Sequence, residues 1–326
     1  MRVLVTGATG FTGGHLARHL AARGNQVRAL VRDPRRAAGL AESGIELAAG
    51  DLRDAASVRE ALRDVTVAYN VAALYREAGL PDDTYFEVNA RAVASLIASA
   101  ADAGVRRVVH CSTVGVHGDV GQVAADEDAP FAPGDVYQRS KVEGERLARE
   151  AEQRHLVQVV IARPTGIYGP GDRRLLKLFR GVARRRFVYL GAGRILYHLT
   201  YVEDVVEGLR LCGEVAQAGG RTYIIGGPET PVLTEIVGEI AAATNVPIPT
   251  RHFPVWPVWI AGAVCEAMCR PFGIEPPLYR RRVDFFTKSR AFDISRARRE
   301  LGFAPAVGLK DGVRRSVTWY REHGWL

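Results

Sequence analysis

Lysine is almost missing from this chain. Of its 44 basic residues only four are lysine, at positions 141, 177, 288 and 310, and the remaining 40 are arginine. That bias gives weight to Lys141, because a planar guanidinium does not replace a compact ammonium. Cysteine is scarce as well. Cys111, Cys212, Cys265 and Cys269 form no C-x-x-C pair, which excludes the usual zinc and dithiol motifs and leaves four apolar thiols. No apolar run is long enough to span a bilayer: the greasiest, residues 253–269, is short and broken by Pro257 and Glu266. No leader sequence precedes the first strand, so a reduced, cytoplasmic setting is expected. The net charge of +8 comes with no basic–aromatic cluster, so nucleic acid is not an expected partner; an acidic substrate or a phosphorylated cofactor fits the charge as well. His15 and His19 stand one helical turn apart with no carboxylate in the pattern, and no metal site is expected.

What is present is a chain of 326 residues, 47% of them hydrophobic, enough for one large domain or two closely joined ones. Apolar runs at residues 3–5, 27–31, 45–48, 67–71, 108–111 and 157–162 read as strands. Residues 13–23, 55–63, 84–103 and 135–153 read as helices between them. The alternation predicts an α/β fold with a doubly wound parallel sheet, and residues 222–225 predict a seventh strand. After Arg163-Pro164 the alternation breaks down. Helices predicted at 231–243 and 256–269 belong to a smaller lobe laid over the C-terminal edge of the sheet, where ligands bind in such folds. Trp256, Trp259, Ile260, Ala263, Val264, Ala267 and Met268 share one helical stripe, read here as facing the core of that lobe. The alternative is a greasy lid or an edge touching a membrane surface, flanked by Arg270 and by Arg280, Arg281 and Arg282.

Two motifs carry chemistry. Residues 1–6 form a strand, Gly7, Gly10 and Gly13 follow at intervals of three, and a helix begins at once. Glycines let the backbone approach phosphates, and the helix N-terminus favours their charge, so this is a site for a pyrophosphate. Downstream, Tyr137 and Lys141 are one helical turn apart on one face. An ammonium there favours the phenolate and tunes the tyrosine to move a proton on a substrate oxygen. Ser112 and Thr113 follow a strand and emerge at the ligand-binding edge, where a hydroxyl orients the reacting oxygen.

Together these parts resemble the extended short-chain dehydrogenase/reductase family, also called the NAD-dependent epimerase/dehydratase family, over nearly the whole chain. Residues 6–13 (TGATGFTG) match its T-G-x-x-G-x-x-G turn, and residues 50–54 (GDLRD) its adenine-contacting segment. Asn70-Val71-Ala72-Ala73 and Val88-Asn89 match two further signatures. Cys111-Ser112-Thr113, the Tyr137/Lys141 pair, residues 163–172 (RPTGIYGPGD) and residues 292–305 follow in the family's order. The resemblance implies a Rossmann-type sheet with a smaller C-terminal substrate-binding lobe. Residues 1–163 would hold the dinucleotide, with 200–226 returning to that unit, and residues 164–199 and 227–326 would hold the substrate. It implies Thr113, Tyr137 and Lys141 as catalytic residues. The implied cofactor contacts are Gly7, Thr9, Gly10, Phe11, Thr12, Gly13, Asp51, Leu52, Ala72, Ala73, Tyr137, Lys141, Pro164 and Ile167.

Arg32 ends the second strand and is followed by Asp33. An arginine there suits the 2′-phosphate of NADP and an acid the ribose of NAD; the reading leans to NADP with NAD open. The resemblance further implies hydride movement at a secondary alcohol or ketone carbon of a small-molecule substrate, with a nucleotide sugar as the first reading. Tyr197-His198-Leu199 stands where such enzymes carry an arginine for the diphosphate, with Arg173, Arg174, Arg194, Arg281 or Arg282 as other sources of that charge. The second reading is therefore an NADPH-dependent reductase or dehydrogenase of an apolar alcohol, like 3β-hydroxysteroid dehydrogenases and dihydroflavonol reductases. A non-catalytic dinucleotide sensor is a third. Relatives pair helices across a four-helix interface, so a homodimer is expected; there is no integral membrane segment, and peripheral contact stays open.

Overall fold

The computed structural model describes residues 1–77, 79–121, 123–155, 157–269 and 280–326, with the side chains of Arg280, Arg281 and Arg282 excepted. The first half alternates as expected: β1 (Arg2–Thr6), α1 (Phe11–Ala22), β2 (Gln26–Val31), α2 (Ala38–Ala41), β3 (Glu46–Ala49), α3 (Ala55–Ala61) and β4 (Val67–Asn70). Then come α4 (Asp82–Phe86), α5 (Ala92–Asp102), β5 (Arg107–Cys111), α6 (Val136–His155) and β6 (Gln158–Pro164). The rest comprises β7 (Gly166–Tyr168), α7 (Leu176–Ala183), β8 (Tyr189–Leu190), β9 (Leu199–Tyr201), α8 (Val202–Glu214) and β10 (Thr222–Ile225). It closes with α9 (Leu233–Thr244), β11 (His252–Phe253), α10 (Val255–Cys269), α11 (Arg280–Thr287), α12 (Ser295–Leu301) and α13 (Leu309–Glu322).

Seven parallel strands form one sheet in the order β10-β6-β5-β4-β1-β2-β3. The order reverses beside β1, which opens a crevice at the strand ends. Successive side chains of β1 take opposite faces. Val3 and Val5 pack with Leu16 and Leu20 of α1 and Val205 and Leu209 of α8. Leu4 packs with Val58 of α3, Val93 and Leu96 of α5 and Ala148 of α6. Both faces are covered, which is why these strands read as continuous apolar runs rather than alternating ones. A third core joins Phe179 of α7, Leu233 and Ile240 of α9 and Val313, Val317 and Tyr320 of α13.

The helix expected at 84–103 is interrupted. A π-type turn at Glu87–Arg91 separates α4 from α5, and it carries Asn89. The Asn89 amide accepts from Leu74 N (2.8 Å) and donates to Leu74 O (3.0 Å) and Ser140 Oγ (2.9 Å). Those bonds hold the loop after β4 against α6. The stripe on α10 is the clear departure from expectation. Gly262 is the buried residue of that helix, and Trp256 and Met268 are 67% and 68% exposed. The apolar residues of α10 run right round its circumference, so a core can take only part of them. Arg270 lies outside the described residues, as do the side chains of the three arginines that open α11.

Candidate active site

Gly7 turns the chain after β1 with φ of 70°. A Cβ on it would lie 2.7 Å from the Ala72 backbone, and one on Gly13 would collide with the Gly7 carbonyl. Conformation and space therefore both require glycine. Gly10, the N-cap of α1, offers no side chain to the helix end. The first-turn N–H groups are left for an anion, and the helix dipole adds to their pull. A cleft of about 670 Å³ opens there, lined by Gly7, Thr9, Gly10, Phe11, Thr12, Gly13, Arg32, Asp51, Leu52, Ala72, Ala73, Tyr137, Lys141 and Ile167. Every expected cofactor contact but Pro164 is among them. A cradle that a Cβ would fill, ending in uncapped N–H groups, fits a dinucleotide pyrophosphate.

A second cavity of about 290 Å³ adjoins the first. Thr113 and Pro164 line it, with Asp135, Tyr197, His198, Phe285, Lys288, Arg290 and Phe292. Tyr75, Ser112, Tyr137, Ile167 and Arg174 line both and form the partition between them. Strand β5 delivers Ser112 to this boundary. Its Oγ is buried with no hydrogen-bond partner among the described residues, a hydroxyl left for a bound molecule. The Thr113 hydroxyl accepts from Gly115 N at 3.0 Å, capping a short turn, and retains its own proton to donate.

Helix α6 sets the depth of Tyr137 and Lys141, and an ion pair sets the helix. Arg163 at the end of β6 clasps Glu145, with Nη2–Oε2 at 2.6 Å and both side chains 5% exposed. Its Nη1 donates to the Glu127 carbonyl at 2.7 Å. The arginine of the R-P motif thus anchors the helix one turn beyond Lys141.

Lys141 is buried, and its Nζ donates to the Cys111 carbonyl at 2.8 Å. Burial pushes its pKa down, against the opposing pull of Cys111 and Glu145. Tyr137 is also buried, and desolvation pushes its phenol above the ordinary value, with Tyr75 and Cys111 adding to the rise. The cations that oppose the rise include Arg76 and Arg174. The Lys141 ammonium is engaged with a strand carbonyl, and the Arg76 guanidinium lies over the Tyr137 ring. Arg76 lies 5.8 Å from the Tyr137 ring centroid and pairs with Asp135 at 2.9 Å.

Tyr75 and Arg76 are the site residues that sequence reading missed; Arg174, one of the arginines expected to offer charge to a substrate, stands on the partition. Tyr75 meets the Tyr137 ring edge-on at 4.8 Å. Arg174 lies 5.6 Å from the Phe11 ring and 5.8 Å from that of Tyr75, held by Asp172 at 2.9 Å. No periodicity marks these positions; the available sign is backbone strain, since Arg76 has φ of 40°. His15 and His19 diverge, His15 to the Pro170 carbonyl and His19 to Glu207. Among the described residues no group of three metal-binding side chains assembles.

Comparisons with known proteins agree with this geometry. The model of the NAD dependent epimerase/dehydratase family matches residues 3–226. The chain is 32% identical to sterol demethylase protein B of Methylococcus capsulatus, over all of both chains. It is 28% identical to 3beta-hydroxysteroid-dehydrogenase/decarboxylase isoform 2 of Arabidopsis thaliana, covering 96% of this chain but 61% of that protein. The structure of MoeE5 in complex with UDP-glucose and NAD superposes with a TM-score of 0.77 at 27% identity, covering 99% of each chain. The chain is thus an NAD(P)-dependent enzyme of the extended short-chain dehydrogenase/reductase type and belongs to the NAD dependent epimerase/dehydratase family.

Proposed function

We propose that this enzyme is a dehydrogenase or ketoreductase of a secondary alcohol or ketone carried on an apolar skeleton, of the 3β-hydroxysteroid type, and that it uses NADP in preference to NAD. One observation carries the reading. The cavity beside Tyr137 has aromatic walls, Tyr75, Tyr197, Phe285 and Phe292, and where a diphosphate-gripping arginine is expected it has His198, buried and bonded to the Gly227 carbonyl. The relatives named for sterol chemistry point the same way. The nucleotide-sugar reading keeps its own support: Arg174, Lys288 and Arg290 line the same cavity, and MoeE5 was solved with a UDP-sugar.

A bound nicotinamide supplies the hydride donor or acceptor. Tyr137 takes the hydroxyl proton when the alcohol is oxidised and returns it to the oxygen when the ketone is reduced. Ser112 and Thr113 donate to that oxygen and fix its position. Lys141, in its buried slot, orients the cofactor ribose. Residues 1–163 and 200–226 form the dinucleotide unit, and 164–199 with 227–326 the substrate lobe. NADP is favoured because Arg32 lines the cleft, while the Asp33 carboxylate accepts from Arg35 N as a turn cap. The functional unit is a cytoplasmic homodimer, paired through α5 and α6, that takes no nucleic-acid partner. The test is a panel of UDP-, GDP- and dTDP-sugars against steroid-like ketones, followed by nicotinamide absorbance and product NMR. Ketone reduction with NADPH oxidation is expected; turnover of a nucleotide sugar alone would refute the reading. NMR is needed because an epimerase returns its cofactor unchanged.

A further inference from the structure

Helix α10 is the anomaly of the surface. Its sequence, VWPVWIAGAVCEAMC, holds one charged residue in fifteen. Trp256, Ile260 and Val264 follow each other at intervals of four, with Trp259 and Met268 on the same side, so they share one face. That face is open: Trp256, Ile260, Val264 and Met268 are 67%, 48%, 53% and 68% exposed. Phe253 of β11, 57% exposed, extends it. A contiguous apolar face of this kind marks a binding surface.

We propose that α10 and Phe253 form an in-plane docking face for an anionic lipid surface. At 1.5 Å per residue a fifteen-residue helix spans roughly 22 Å, short of a bilayer core of roughly 30 Å. No described helix is long and apolar enough to cross a membrane. The helix therefore lies along the interface, the depth that indole rings favour. Charge selects the partner. Exposed Arg251 and His252 lead into the helix, and the loop carrying exposed Arg194 meets it where Gly191 approaches Val255. The acids nearby are engaged: Glu266 of α10 itself has a partner, Glu235 accepts from Val232 N at the start of α9, and Asp284 pairs with Lys288 at 3.0 Å. A cationic rim around an apolar face complements anionic headgroups, and it repels a second copy brought up by two-fold symmetry. The placement also suits access. Helix α10 packs on α11, and Asp284 and Phe285 of α11 line the cavity beside Tyr137. The inference goes beyond the proposed reaction and holds for either substrate class.

The test is co-sedimentation of the full chain with vesicles of phosphatidylcholine, with and without phosphatidylglycerol, together with tryptophan emission. The protein is expected to pellet with phosphatidylglycerol vesicles and to show a blue-shifted emission. A triple variant, Trp256→Glu, Ile260→Glu and Val264→Glu, is expected to bind on the order of tenfold more weakly or worse, with its melting transition retained. Arg251→Glu, which spares the helix, is expected to weaken binding about fivefold. A wild-type protein that stays in the supernatant, or a folded triple variant that pellets as well as wild type, overturns the proposal. So does a lipid-free dimer in sedimentation velocity that the triple variant abolishes. None of these readouts depends on which substrate is turned over.

Discussion

The two cavities that meet at Tyr137 are built in opposite ways. The cleft over α1 is made largely of backbone: a glycine turn, uncapped N–H groups and the ends of β1, β2 and β4, all within the first 73 residues, to which later segments add Lys141 and the partition. The neighbouring cavity is made of side chains brought from far apart, with Tyr75, Thr113, Tyr197, Phe285 and Phe292 on five separate segments. A backbone site recognises what all substrates of a family share, here the cofactor. A side-chain site is free to change with the substrate.

Tyr137 lines both, so its removal separates them most sharply. Tyr137→Phe keeps the ring and its edge-on contact with Tyr75 and removes the proton. Turnover is expected to fall by about 10²- to 10⁴-fold, with cofactor affinity by fluorescence titration unchanged. Undiminished turnover would remove Tyr137 from the chemistry. The next effect falls on the support beneath both cavities. Arg163→Ala leaves Glu145 buried without its partner, at an expected cost of about 3–5 kcal/mol in urea unfolding. A midpoint that does not move would mean that α6 is held by packing alone.

How much was legible follows the same division. The Rossmann-type unit could be read because both faces of its sheet are covered, which writes each strand as an apolar run, and because the glycine spacing is local. The Tyr137/Lys141 pair could be read because one helical turn fixes its geometry. Strands β7 and β9 are three residues long and carry no period. Arg174 is held at the partition by Asp172, through a bond across one residue, and by the Ile167 carbonyl, a placement that no spacing rule foresees. The outward stripe of α10 was assigned to a core because periodicity tells which residues share a face and not which way that face looks.

A pH series compares the two regions through their buried imidazoles. His110 lies on β5 in the sheet, and His198 borders the second cavity; burial pushes both below the ordinary value of 6.5. His117, between them, is depressed in the same way, with Arg163 adding to the effect. The unfolded chain binds protons on these groups more readily than the folded one. Their stabilisation is therefore complete above about pH 6.5 and is lost as pH falls below it, by about 1.4 kcal/mol per unit of depression for each group. The urea midpoint is expected to drop steadily between about pH 7 and pH 5. His198→Gln should flatten the slope, and an unaltered slope in that variant would assign the acid sensitivity to the sheet alone.

The smallest effect tests whether the backbone-built cleft is as indifferent to side chains as the comparison claims. Arg32 is an exposed cation of this cleft, on the rim beside Val31. If the cleft reads the 2′-phosphate through this guanidinium, Arg32→Ala weakens NADPH binding on the order of tenfold, the loss of one charge-assisted hydrogen bond. NADH binding then changes little, because its ribose hydroxyl carries no charge for Arg32 to meet. Equal weakening of both, measured by titration of each cofactor, would assign Arg32 to the general field of a basic protein. Discrimination would then fall to Asp33, whose carboxylate would have to leave the Arg35 N–H it now accepts from.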